Sequence, residues 1–204
     1  MTTAFAIAFA FSFIGSVPPG TINLTVLQLG LEKKFSVAIR FGAAAALVEY
    51  PYGWIAVKFA SFILSTPAIV LNFQLITGIV MVTLGIFNLW AASRPSGFAV
   101  RFNNSGFRRG LLLGILNPMA IPYWIAMTTY CKSQGWIDLD TNAELHGYLT
   151  GIVLGALVLL TILVYLSAKI APLFRHQGIL KRVPGVVLLA LGIYAFARLV
   201  ADMQ

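Results

Sequence analysis

The first apolar stretch of the chain carries Phe13-Ile14-Gly15-Ser16-Val17-Pro18-Pro19-Gly20-Thr21-Ile22-Asn23, and the second half carries Leu113-Gly114-Ile115-Leu116-Asn117-Pro118-Met119. In both, a glycine precedes a proline by four positions, Gly15 before Pro19 and Gly114 before Pro118, and the two pairs are offset by 99. Proline removes a backbone donor and clashes with the preceding helical turn. Pro18-Pro19-Gly20 does this twice and then adds a residue with little helical preference. Asn117 is a favourable N-cap and Pro118 suits the first helical position, so that pair reads as a helix restarting. The spacing predicts one helix in each half of the chain, interrupted in the same way.

The surroundings of these motifs are a lipid bilayer. Of 204 residues, 59% are hydrophobic and 10% charged, with a mean hydropathy of +0.89. Soluble domains have about 45–50% apolar and about 25% charged residues, so too little polar surface remains here for a water-facing shell. Apolar runs fall at about residues 4–30, 37–64, 68–91, 107–131, 144–171 and 178–200. Each is long enough to cross the bilayer as a helix, which takes roughly 20 residues. The length excludes a sizeable appended catalytic or DNA-binding domain. Met1-Thr2-Thr3-Ala4-Phe5 lacks the basic start of a cleavable signal peptide, so the first run is read as a transmembrane helix.

Loop charge tests the count of six. The first loop has Lys33, Lys34 and Arg40, the third Arg94, Arg101, Arg108 and Arg109, and the fifth Lys169, Arg175, Lys181 and Arg182. The second loop has none, and the fourth has Lys132 beside Asp138, Asp140 and Glu144. Cytoplasmic loops are the basic ones, so the alternation predicts both termini outside the cytoplasm. The net charge of +8 thus reflects membrane orientation rather than a nucleic-acid surface, whose basic residues would cluster on one accessible domain. The basic third loop divides the chain into two sets of three helices. Three is odd, so homologous halves would insert in opposite orientations and form an inverted repeat.

A half-helix restarting inside the membrane presents free N–H groups and a positive dipole end, which in transporters faces anionic groups of the substrate near the midplane. Unwound backbone is tolerated at that depth only beside a protein-lined cavity. Glu49 is the second feature, near the centre of the second apolar run. Inserting an acid there costs on the order of 3 kcal/mol, and a group that alternates between charged and neutral forms is suited to carry a proton. Lys58 lies roughly 13 Å further along the helix on the opposite face, placed to snorkel rather than to pair with Glu49.

Other polar positions, Asn23, Gln28, Gln74, Thr77, Asn88, Thr150 and Thr161, are expected mostly to make interhelical hydrogen bonds. Gly106, Gly110 and Gly114, and again Gly151 and Gly155, recur every four residues and predict close helix contacts. The single cysteine, Cys131, cannot form an intrachain disulfide and reads as a packing residue. His146 and His176 lie on different loops without a zinc motif, so no metal or other cofactor is expected.

Together these features resemble the lysine exporter (LysE type) family of amino-acid efflux proteins, which includes the homoserine and threonine exporters. The resemblance rests on the size and six apolar runs, the Pro/Gly motif of the first helix, the acid in the second, Gly114 to Pro118, and Val183-Pro184-Gly185 through Leu191-Gly192-Ile193-Tyr194. Three positions depart from the family pattern: Pro18-Pro19-Gly20 replaces Pro-Gly-Pro, Met119 replaces a lysine, and Glu49 replaces an aspartate.

The resemblance implies an all-α integral membrane protein of the bacterial inner membrane that exports amino acids or their derivatives. Residues 1–204 would form one transporter domain, with a first three-helix repeat at 1–91, a cytoplasmic linker at 92–109 and a second repeat at 110–204. Substrate binding or gating is expected at Pro18, Pro19, Gly20, Thr21, Asn23, Asn117 and Pro118, and proton coupling at Glu49. The expected partners are a small-molecule substrate and membrane lipid; assembly into a homo-oligomer stays open. Export of a metal or other ion is the alternative, weakened because hard cations want several oxygen ligands and only one deep carboxylate is present. An intramembrane enzyme would need a paired nucleophile and base, and neither a deep histidine nor a second acid completes Ser16 and Glu49. A non-transporting membrane subunit is a further alternative.

Overall fold

The computed structural model describes residues 2–18, 20–66, 73–92, 106–117 and 120–170, with short pieces between 182 and 197. Regular structure among them is helical: α1 (Thr2–Gly15), α2 (Thr21–Leu31), α3 (Phe35–Ser65), α4 (Phe73–Ala92), α5 (Gly106–Ile115), α6 (Ala120–Ser133), α7 (Asn142–Tyr165) and the single turn α8 (Ser167–Ile170). The first and fourth apolar runs are each split, at residues 16–20 and after Leu116, where the Pro/Gly and Asn-Pro motifs stand. α5 begins at Gly106, inside the stretch expected to be linker. Among the described residues, α7 is by itself long and apolar enough to cross a membrane. α5 and α6 pass together as one span bent by 62°.

Local chemistry accounts for several boundaries. Thr141 caps α7 in a capping box, with its hydroxyl accepting from the Glu144 N–H while Glu144 accepts from the Thr141 N–H. α2 and α6 end alike. Lys34 N–H donates to the Leu29 carbonyl (2.9 Å) and Lys33 N–H to Gly30 (3.0 Å), as Trp136 N–H does to Cys131 (2.9 Å) and Gly135 N–H to Lys132 (3.0 Å). Both are Schellman closures that need a left-handed residue, Gly135 at φ 68° in one and Lys33 at φ 56° in the other. Pro51 lies within α3 and Pro122 in the first turn of α6, where its missing N–H has no intrahelical partner to lose. In the first loop the exposed Lys34 ammonium, 2.8 Å from Glu32, and the Gln28 amide hold the Glu32 carboxyl below its usual range.

Two compact units emerge, residues 1–61 with 97–175, and residues 62–96 with 176–204. Each draws on both halves of the chain. In the first, the glycine rows pack as expected. A Cβ on Gly106, Gly110 or Gly114 would run into Val37, Phe41 or Val48, so α5 lies parallel against α3. Gly151 and Gly155 face Phe5 and Phe9 in the same sense, so α7 lies parallel against α1, and the Ser12 hydroxyl bonds the Ile152 carbonyl at 2.5 Å. The interior is built of small residues such as Ala8, Ala38, Ala44, Ala56 and Ala60, whereas Ile14, Trp54, Phe59 and Tyr165 are exposed. A surface so rich in large apolar side chains over an alanine- and glycine-rich interior suits lipid, where close backbone approach replaces hydrophobic collapse. Cys131 is buried in the packing, as expected.

In the second unit, Gly85 and Gly185 meet back to back. A Cβ on Gly85 would lie 2.9 Å from the Gly185 carbonyl oxygen, and one on Gly185 3.0 Å from that of Gly85. Leu189 covers Gly85 as Leu89 covers Gly185, while Gly192 meets Val82 and Gly78 meets Phe196. One number rises as the other falls, so the two segments run antiparallel.

Lys33→Gly is expected to raise the unfolding midpoint in detergent by the equivalent of up to about 1 kcal/mol, by removing left-handed strain. Gly110→Leu should lower it by about 1–3 kcal/mol through overpacking against Phe41. Thermal denaturation of the two variants checks both signs.

Candidate functional site

Breaking a helix in an apolar surrounding strands carbonyl groups that normally accept from the next turn. The protein meets this cost twice with one backbone pattern. After α1, Ser16 N–H bonds Ser12 (3.0 Å) and Val17 N–H bonds Ile14 (3.1 Å). After α5, Leu116 N–H bonds Leu112 (2.9 Å) and Asn117 N–H bonds Gly114 (3.0 Å). Every residue of the second set is the first set shifted by 100.

Side chains supply what the backbone does not. Buried Asn23, in the first turn of α2, donates its Nδ2 to the Ser16 carbonyl (2.6 Å) and the Pro18 carbonyl (3.1 Å), folding the unwound strand back over α2. At the second break, Tyr52 from α3 donates its hydroxyl to the Ile115 carbonyl at 2.7 Å. Tyr123, early in α6, donates to the Phe11 carbonyl in the last turns of α1 at 2.7 Å, and its ring covers Gly15 so closely that a Cβ there would collide with it. The end of α1 and the start of α6 are thereby in direct contact.

Glu49 stands at this junction. Near the middle of α3 and partly buried, it accepts one hydrogen bond, from Trp124 Nε1 at 2.7 Å. Trp124 is buried and packs edge-on against Tyr123 (5.1 Å between centroids) and Tyr148 (6.3 Å), whose hydroxyl pairs with Thr128 at 2.9 Å. Tyr52 follows Glu49 by three residues, on the same face of α3. Lys58 sits 5.5 Å over the Trp54 ring, an exposed cation–π contact in place of any pairing with Glu49. Next to Glu49, Tyr50 reaches the other way, to His146 Nδ1 at 2.5 Å with the rings stacked. His146 also lines a cavity of about 540 Å³ with Thr2, Phe5, Ala143, Gly147 and Thr150.

Of the residues singled out from sequence, the structure brings Glu49 beside the second break and Asn23 into the first. Gly20 is extended (φ −112°, ψ −177°) and exposed, with open space where a Cβ would stand, and it starts α2 without a capping side chain. Thr21, the first residue of α2, is exposed, and its carbonyl accepts from Thr25 at 2.8 Å. Pro18 lies in the described part of the first break and Asn117 in that of the second; Pro19, Pro118 and His176 lie outside the described residues. The expectation of interhelical bonds fails for Thr150 and Thr161. Both bond carbonyls one turn back in their own helix at 2.7 Å, because a threonine hydroxyl reaches that acceptor without a neighbour. Gln28 likewise bonds Glu32 locally, and the side chains of Gln74, Thr77 and Asn88 lie outside the described set. Trp124, Tyr123 and Tyr52 were not anticipated, although a Trp or Tyr in an apolar helix announces a polar group that must find a partner.

In comparison with known proteins, a family model described as LysE type translocator aligns with residues 13–198. No curated protein and no solved structure matches the chain.

Asn23→Ala removes two hydrogen bonds that close the first break and is expected to cost about 2 kcal/mol. Asn23→Asp should cost more, since an acceptor would then face two carbonyls. Thermal midpoints in detergent rank the pair, and equal or smaller loss for the aspartate contradicts the assignment.

Proposed function

The chain belongs to the LysE type translocator family, and we propose that it exports small solutes, amino acids or their derivatives, across the bacterial inner membrane by proton-coupled alternating access. A translocator moves its substrate unchanged, so the side chains at the junction bind, orient and gate rather than catalyse. The observation that carries this reading is Glu49: a single acid, bonded only by Trp124 among the described residues, beside the broken helix ends.

Several features support two inverted three-helix repeats, residues 1–91 and 110–204 joined by a cytoplasmic linker at 92–109. The breaks share one hydrogen-bond pattern at an offset of 100, and Gly85 and Gly185 form a reciprocal contact at the same offset. α2 and α6 close with the same Schellman turn. The first helix of each half packs parallel to the second helix of the other, α1 on α7 and α5 on α3. Such halves can rock about a fixed central site. The exposed N-terminus of α2 at Gly20-Thr21 and the restart near Asn117-Pro118 would face the substrate, with Asn23 fixing the first break.

In the proposed cycle Glu49 accepts a proton from the outer side, carries it inward as the site changes access, and releases it before the substrate binds. For a substrate without net charge, one charge moving down about 150 mV supplies ~3.5 kcal/mol, enough for a solute gradient of a few hundredfold.

Glu49→Gln keeps an oxygen that can accept from Trp124, so the thermal midpoint should stay within about 4 °C, the shift that ~1 kcal/mol produces at this size. Proton-driven efflux from proteoliposomes should fall to the level of protein-free vesicles. Unchanged efflux removes Glu49 from the mechanism.

A further inference from the structure

The groups around Glu49 set the chemistry of what binds there, and the inference below rests on Glu49 lying in the translocation site. Its carboxylate has no basic partner among the described residues. Lys58 is over Trp54, and Lys132 reaches Ser61 at 3.3 Å. One carboxylate oxygen takes the Trp124 N–H; no donor among the described residues reaches the other. The remaining neighbours are aromatic: Trp124 packs edge-on against Tyr123 and Tyr148, and Tyr52 lies one helical turn on from Glu49. Among the described residues, the site therefore combines one acidic side chain, aromatic rings and no basic side chain.

That combination favours one ligand group. An ammonium neutralises the carboxylate, donates to its free oxygen, and is attracted by the faces of aromatic rings. A substrate carboxylate would instead meet a like charge, with no basic side chain among the described residues to offset it. We propose that the transported solute is recognised through an ammonium group and that a carboxylate is dispensable, so the substrate class is small organic amines, including decarboxylated or esterified amino acids. Ammonium and proton then compete for one carboxylate, each excluding the other, which makes their exchange obligatory.

The test uses the full-length protein and matched series on common skeletons: alanine, leucine, phenylalanine and lysine; ethylamine, 3-methylbutylamine, phenethylamine and 1,5-diaminopentane; and the 2-hydroxy acids corresponding to alanine, leucine and phenylalanine, which carry no ammonium. Binding is read by thermal shift and indole fluorescence in detergent, and transport by radiolabelled counterflow against protein-free liposomes. The expected result is that at least one amine binds within tenfold of its parent amino acid while its hydroxy acid binds at least a hundredfold more weakly. Amine affinity should fall as pH is lowered, and Trp124→Phe should weaken it several-fold. Amino acids that bind and exchange while every amine is a hundredfold weaker, or hydroxy acids that match them, overturn the inference and leave the exporter reading standing. No binding or counterflow by any of the three series overturns both.

Discussion

A polypeptide that interrupts a helix within an apolar surrounding must find partners for the carbonyls it frees, and the arrangement of this protein follows from that requirement. Two breaks, after Gly15 and after Ile115, expose main-chain groups that water does not reach cheaply. Each is first tightened by two backbone bonds of the same pattern and then completed by a side chain, Asn23 at one and Tyr52 at the other. Tyr123 bonds α1 from α6 and so links the two breaks. A broken helix held by a few side-chain hydrogen bonds, each worth about 1 kcal/mol, is stable yet can rearrange for comparable energies.

Into this junction the protein places an acid. Glu49 could have been satisfied by a lysine or arginine, which would have fixed its charge. Among the described residues a single indole N–H holds it, which leaves the carboxylate able to exchange partners, as a carrier of protons or ammonium groups would require. The glycine rows serve the same end differently. By letting α5 approach α3 and α7 approach α1 backbone to backbone, they bring Glu49 within reach of α6.

The interruptions, the deep acid and the glycine contacts were legible in the sequence because each is a local violation: proline and glycine where a helix wants neither, a carboxylate where lipid excludes one, small residues at a fixed period. The partners of those features were not legible. Tyr52, Tyr123 and Trp124 lie 63, 112 and 75 residues from the groups they bond, and no local pattern encodes such distances. Thr150 and Thr161 misled for the opposite reason, since their hydroxyls are satisfied within their own helix and need no neighbour. The Thr141 to Glu144 capping box was readable in form, but within an acidic loop it passed as charge alone.

The central claim is that one site, at the first break and beside Glu49, is open to each side of the membrane in turn. The most direct measurement places a thiol at the open position by Gly20→Cys, with Cys131→Ala removing the native one, and follows its labelling by a membrane-impermeant reagent from either side of oriented vesicles. The account predicts labelling from both sides, with the preferred side reversing as the imposed proton gradient is reversed and the reversal lost when Glu49→Gln is added. Labelling from one side alone, whatever the gradient, would contradict it.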